Sequence, residues 1–156
     1  MKKGVLYAAV IAAAMLVPVK RANVGQLLPV ELVMLRTEGM LVVLETDTGN
    51  IGKGTTVESA YCELEQTAPG NIYLDTARYL MVSEAAQQYV IQISKYLKDN
   101  VRVCYAEQRI DLKDAAEYLR MHKPKRKLEE VLQRGIDSVL CKKDKGLELK
   151  YFENIS

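Results

Sequence analysis

The side chains best suited to chemistry are few in this chain and far apart. It holds one histidine, His122, and three cysteines, Cys62, Cys104 and Cys141. Catalysis or metal binding near neutral pH needs imidazoles, thiolates or carboxylates brought together. One imidazole falls short of a histidine-based zinc set, and no CxxC spacing joins the cysteines. An odd cysteine count also leaves no complete disulfide framework. Cys62 falls on the polar side of a predicted helix, where it is either a reactive thiol or merely tolerated. Ser59 and Ser83 lack the Gly-x-Ser-x-Gly setting of a nucleophile elbow. The carboxylates Glu63, Glu65, Asp111 and Asp114 lie near helix starts or on polar helix faces, where they cap and solubilise. No catalytic residue, metal ligand or cofactor is assigned, and the expectation is a protein that is not an enzyme.

Two stretches have the chemistry to meet anions. Gly49-Asn50-Ile51-Gly52-Lys53-Gly54-Thr55-Thr56 precedes a helix, and a helix amino end beside Gly and Thr can hold a phosphate. The Walker spacing is absent, because Gly54 follows Lys53. The glycines then read as a turn and Thr55 as a helix cap; the alternative reading of the Gly52–Thr56 turn is a small enzyme or nucleotide-binding protein, with Lys53 and a carboxylate such as Asp47 pointing into a cleft there. Lys123, Lys125, Arg126 and Lys127 are candidate contacts to anions or lipid headgroups, or else a solvated loop. His122 belongs to the same loop. Nine tyrosines outnumber one Phe and no Trp; Tyr61, Tyr89 and Tyr96 fall on helix faces, where they pack with the hydroxyl at the rim.

The elements that would position these groups follow from patterning. Val30–Arg36 and Met40–Thr46 are β-rich runs around Thr37-Glu38-Gly39, a hairpin signal, and Asp47–Gly52 breaks the pattern with turn formers. Thr55 and Glu58 have capping-box spacing, and Val57, Ala60, Tyr61 and Leu64 then repeat with helical period up to the breaker Thr67-Ala68-Pro69-Gly70. Ile72–Leu74 and Tyr79–Val82 are short strands. Ser83 caps a predicted four-turn helix with Ala86, Tyr89, Val90, Ile93 and Leu97 on one side. Val101–Ala106 is the next strand, so a parallel crossover joins the Leu80 and Val103 strands. Asp111 caps a helix with Leu112, Ala115, Ala116 and Leu119 inward. Leu128–Arg134 is a short helix stopped by Gly135, and Val139–Cys141 with Leu147–Phe152 forms a terminal hairpin. The fold class is α+β: a mixed sheet with an N-terminal antiparallel hairpin, a strand–helix–strand unit and helices packed on the sheet, preceded by an apolar leader helix. Residues 22–121 form the α+β domain, and 122–156 a basic linker, short helix and hairpin.

The leader carries the basic character. The 156 residues hold 22 Lys and Arg against 20 Asp and Glu, a net charge of +2. Lys2, Lys3, Lys20 and Arg21 account for four of the cations, so the body has 18 basic against 20 acidic residues. Such a body has no global field to gather nucleic acid. Residues 4–19 are uncharged and rich in Ala, the form of a secretory signal but short of the roughly 20 residues that cross a bilayer. Residues 1–21 read as a membrane anchor, a cleaved signal peptide, or a helix buried in a cytoplasmic fold. We expect the amino terminus inside, the body extracytoplasmic, and localisation at the cell membrane or in the secreted fraction.

The arrangement of capped helices and strands resembles a known family. Gly54-Thr55-Thr56-Val57-Glu58-Ser59-Ala60, Leu64, Ile72-Tyr73-Leu74 and Tyr79–Ala86 are similar to the N-terminal domain of the spore-germination C-subunit lipoproteins, subunits of germinant receptors. Arg102–Ala106 leading to Ala115-Ala116-Glu117-Tyr118-Leu119 continues the likeness, which spans roughly residues 24–121. The family's lipobox cysteine has no counterpart, the first cysteine being Cys62, so the apolar leader itself has to tether. Asp75-Thr76 stands where the family commonly has His. The family's later domains do not fit after Met121, which excludes a complete receptor subunit. The resemblance implies a non-catalytic, membrane-attached domain outside the cytoplasmic membrane of a Gram-positive spore former. Its partners would be other membrane or cell-envelope proteins, in germination or sporulation.

Overall fold

A computed structural model describes residues 27–107 and 109–152. The leader, residues 1–21, lies outside them. The described chain is α+β, with a mixed seven-stranded sheet and four α-helices. The strands are β1 (Leu27–Pro29), β2 (Leu32–Glu38), β3 (Leu41–Thr46), β4 (Ile51–Gly54), β5 (Asn71–Tyr73), β6 (Tyr79–Val82), β7 (Arg102–Ala106), β8 (Ser138–Lys143) and β9 (Gly146–Tyr151). The helices are α1 (Val57–Thr67), α2 (Val90–Ile93), α3 (Leu112–Met121) and α4 (Leu128–Arg134).

The main sheet runs β4-β3-β2-β6-β7-β8-β9. Its four central strands are parallel, and antiparallel strands close both flanks. Alternate side chains serve opposite faces. Val33, Leu35, Leu80, Val82 and Val103 pack with α1, α2 and α4 on one face. Leu32, Met34, Tyr79, Met81 and Cys104 pack with α3 on the other. With both faces covered, every residue of β6 is buried and its sequence, Tyr-Leu-Met-Val, does not alternate.

Several expectations are corrected. The predicted turn at 47–52 is shorter, because residues 51–54 are strand β4 paired with β3. The glycines there serve close packing. A Cβ on Gly52 would lie 2.1 Å from Ala60 O, and one on Gly54 2.1 Å from Ser59 Oγ. The cap of α1 accordingly starts one residue later than Thr55: Thr56 Oγ1 accepts from Ser59 N at 3.1 Å, and Ser59 Oγ accepts from Thr56 N at 3.0 Å. The predicted four-turn helix after Ser83 is mostly 3₁₀, over Glu84–Tyr89 and Ser94–Tyr96, with α2 between. Ser83 makes no side-chain cap bond, and tightened turns are the usual way uncapped end groups find partners. β1 escaped the sequence reading; it pairs in parallel with β5 in a separate two-stranded sheet.

The linker after α3 is built into the sheet. Val103 N donates to Arg126 O at 3.1 Å and Leu128 N to Val101 O at 2.7 Å. Residues 126–128 thus line the amino half of β7, while β8 pairs with its carboxyl half at Tyr105 and Ala106. Through this gap the chain passes from α3 on one face to α4 on the other.

Candidate functional site

The basic run divides in the folded chain. Arg126 is structural: its Nη1 donates to Arg134 O at 3.0 Å and Gly135 O at 2.8 Å, closing α4, and its Nε lies 3.4 Å from Asp137 Oδ2. Lys125 Nζ sits 4.4 Å over the Tyr151 ring, a cation–π geometry. Lys127 bridges Arg102 through its backbone, and its amide donates to Glu130 Oε2 at 2.9 Å. Lys123 lines a hollow, and its companions there come from elsewhere in the chain.

That hollow lies at the amino ends of β6 and β7. It encloses about 340 Å³, and Arg78, Lys98, Arg102 and Lys123 line it with Asp75, Thr76 and Asn100. The parallel register sets Tyr79 beside Arg102, so the cations that open two successive strands reach one edge. Arg102 is anchored, Nη1 donating to Pro124 O at 2.7 Å and Lys125 O at 3.0 Å. Among the described residues, Arg78, Lys98 and Lys123 have no carboxylate at ion-pair distance. Glu31, in the adjoining hollow, is engaged by Arg120, whose Nε is 2.9 and 3.0 Å from its two oxygens. That contact holds the Glu31 carboxyl below the ordinary range. Arg78, Lys98 and Arg102 could have been found from sequence only by assuming parallel strands and asking which cations precede them.

The opposite edge, at the carboxyl ends of β6 and β7, has a different character. A hollow of about 400 Å³ there is lined by Ser83, Glu84, Tyr105, Glu107, Val139 and Phe152. Ser83 Oγ is buried without a hydrogen-bond partner among the described residues. No histidine faces it, because His122 stacks on Tyr118 with ring centroids 4.3 Å apart. This edge offers a hydroxyl and carboxylates for hydrogen bonding.

The remaining sequence candidates stay apart. Lys53 Nζ pairs with Glu38 Oε2 at 2.6 Å, and Lys53 N donates to the Glu63 carboxylate. Asp47 Oδ1 accepts from the amides of Glu31 and Leu32 at 3.0 and 3.2 Å, so it does not converge with Lys53. Cys62 is exposed, while Cys104 and Cys141 are buried, and all three are free thiols. Burial pushes the Cys104 thiol up to about 12. Among the described residues no group of three or more His, Cys, Asp or Glu is placed to hold a metal ion, and no helix is long and apolar enough to cross a membrane.

Among the described residues, several large hydrophobics are exposed, and two of them stand beside a groove between α2 and α4. Ile91 on α2 is 69% exposed and Leu132 on α4 44% exposed. Both edge a groove of about 150 Å³ floored by Val90, Val131 and Ile136, room for one or two aliphatic side chains. No family model, no curated protein and no solved structure matches this chain.

Proposed function

We propose that this is a non-catalytic protein-interaction domain of the cell envelope. It is tethered by an apolar leader helix at residues 4–19 or exported with the leader removed. Its body is extracytoplasmic and docks other membrane or envelope proteins, in a role accessory to spore germination or sporulation. The observation that carries docking is the groove between α2 and α4, where two large aliphatic side chains stand in solvent over an apolar floor. Its occupant is the apolar stripe of a helix in an envelope protein, since a slot between two helices suits side chains repeating at helical spacing. The tether is supported by the uncharged run between Lys3 and Lys20.

Two measurements test the reading. Fractionation should place the full chain with the membrane and a chain lacking residues 1–21 in the soluble fraction; full chain found soluble overturns the tether. A photocrosslinking residue at Ile91 should give one discrete adduct with an envelope protein, lost on Leu132→Asp. The same adduct from Lys113, on the exposed side of α3, would overturn docking at the groove.

A further inference from the structure

We propose that the hollow at the amino ends of β6 and β7 is a phosphate site that takes the phosphodiester of an anionic glycerophospholipid headgroup. The body carries more acidic than basic residues, yet four cations, Arg78, Lys98, Arg102 and Lys123, line this one depression, with Asp75 as its single acid. Gathering like charges costs free energy, and an oxyanion bound among them relieves it. The scaffold under the cations is held in place. Arg102 is fixed on the carbonyls of Pro124 and Lys125, and Tyr151 OH donates to Lys123 O at 3.1 Å. Asn100 adds a neutral hydrogen-bonding side chain to the same lining.

The choice of a lipid phosphate follows from where the leader joins the fold. β1 is the first described element after the leader. It runs directly into Val30, whose N donates to Thr76 Oγ1 at 3.1 Å, and the Thr76 hydroxyl lies 2.7 Å from Tyr73 O and 3.0 Å from Val30 O. Pro29 and Val30 line the adjoining hollow, and Thr76 and Arg78 line both. A leader in the bilayer would bring this edge down to the headgroups. Assignment to lipid rests on the tether proposed above; recognition of phosphate does not.

The test uses full chain in neutral maltoside micelles, titrated with dioctanoyl-phosphatidylglycerol, dioctanoyl-phosphatidylcholine and inorganic phosphate. The amide resonances of Arg78, Asn100, Arg102 and Lys123 are followed by NMR. Phosphatidylglycerol should shift them saturably, and phosphatidylcholine, whose choline brings its own cation, should bind at least tenfold more weakly. Each cation near an anionic surface is worth about fivefold, so Arg78→Gln with Lys98→Gln and Lys123→Gln should weaken binding about a hundredfold. The triple variant must keep the wild-type thermal midpoint; if it does not, Lys98→Gln alone, from an exposed position, should still cost about fivefold. Saturation by inorganic phosphate with no response to phosphatidylglycerol would overturn the lipid assignment. No saturable shift with either, or unchanged binding in a folded variant, would overturn the site. Failure of the tether reads out separately, in the fractionation.

Discussion

Replacing Gly52 by Ala tests whether β4 is a strand pressed onto α1 rather than an anion-binding loop. The added Cβ would sit 2.1 Å from Ala60 O, 2.6 Å from Leu64 N and 2.7 Å from Leu64 Cβ. Two of these three neighbours are backbone atoms, which no rotamer change can move. To restore ordinary contact, α1 and β4 must part by about 1 Å, and a gap of that size forfeits up to half of each dispersion contact across it. Overpacking of this kind costs about 1–3 kcal/mol. The upper end applies with backbone in the way, and a stiffer unfolded chain returns about 0.4–1 kcal/mol. The net loss should be about 2–2.6 kcal/mol. With a urea slope of about 2 kcal/mol/M, the midpoint falls by about 1–1.3 M. The assay is urea unfolding of the full chain in neutral detergent, followed by far-ultraviolet circular dichroism. Lys53→Ala, an exposed neighbour on the same strand, should cost about 0.5 kcal/mol. A Gly52→Ala protein within about 0.5 kcal/mol of wild type, or a nucleotide that raises the unfolding temperature by several degrees, would refute the packing argument.

Further outcomes follow from particular contacts. Arg126→Gln should destabilise by about 2 kcal/mol through the freed carbonyls of Arg134 and Gly135, whereas Lys125→Gln should cost under about 0.5 kcal/mol; urea midpoints decide. Lys53 and Arg36 hold the Glu38 carboxyl at about 2. Its stabilising contribution is therefore present above the ordinary carboxylate range and lost as pH falls toward 2, and carboxyl NMR should show Lys53→Gln raising that value. One thiol, Cys62, should react rapidly with Ellman's reagent in the native protein and three in denaturant, since Cys104 is 0% and Cys141 4% exposed. The stack of Tyr61 on Tyr96, centroids 4.3 Å apart, should show a coupling of about 0.5–1.5 kcal/mol in a double-mutant cycle.

What could be read from the sequence is what periodicity encodes. The helices α1 and α3 announce themselves because one face of each is buried and the other is wet: Val57, Ala60 and Leu64 in one, Leu112, Ala115, Ala116 and Leu119 in the other. The hairpins β2–β3 and β8–β9 carry turn residues between apolar runs. β1 and β4 escaped for a common reason. They are three and four residues long, and each contains a residue that usually punctuates structure, Pro29 or the pair Gly52 and Gly54. What justifies those residues is a neighbour distant in the chain, Tyr73 for Pro29 and Ala60 for Gly52. The same limit hid the basic hollow, whose cations at 78, 98, 102 and 123 share no local pattern until the strands align in parallel. Conversely, the run at 123–127 looks like a single patch because its residues are adjacent, and folding sends them to different partners.

The sheet sorts its chemistry by strand direction, and that bears on how the domain would sit on a surface. Ligands of open parallel sheets usually gather at the carboxyl ends of the strands; here that edge carries Glu84 and Glu107 with Arg36 and Arg109 beside them, whereas four cations and one acid line the hollow at the amino edge. With four residues in β6 and five in β7, the edges are about 13–17 Å apart at 3.3 Å per residue. The screening length at physiological ionic strength is about 8 Å, so a surface touching one edge scarcely feels the other. Net charge is therefore the wrong quantity for this domain: its acidic excess would oppose an anionic surface only if the charges acted from one point. On the proposed reading, the local excess of cations at the amino edge would decide instead, and would set orientation as well as attraction. Salt then provides the discriminating experiment. Raising ionic strength from about 0.05 to 0.5 M should weaken phosphatidylglycerol binding in wild type far more than in the Arg78, Lys98 and Lys123 triple variant. Equal salt slopes in the two proteins would mean that the attraction comes from elsewhere on the chain.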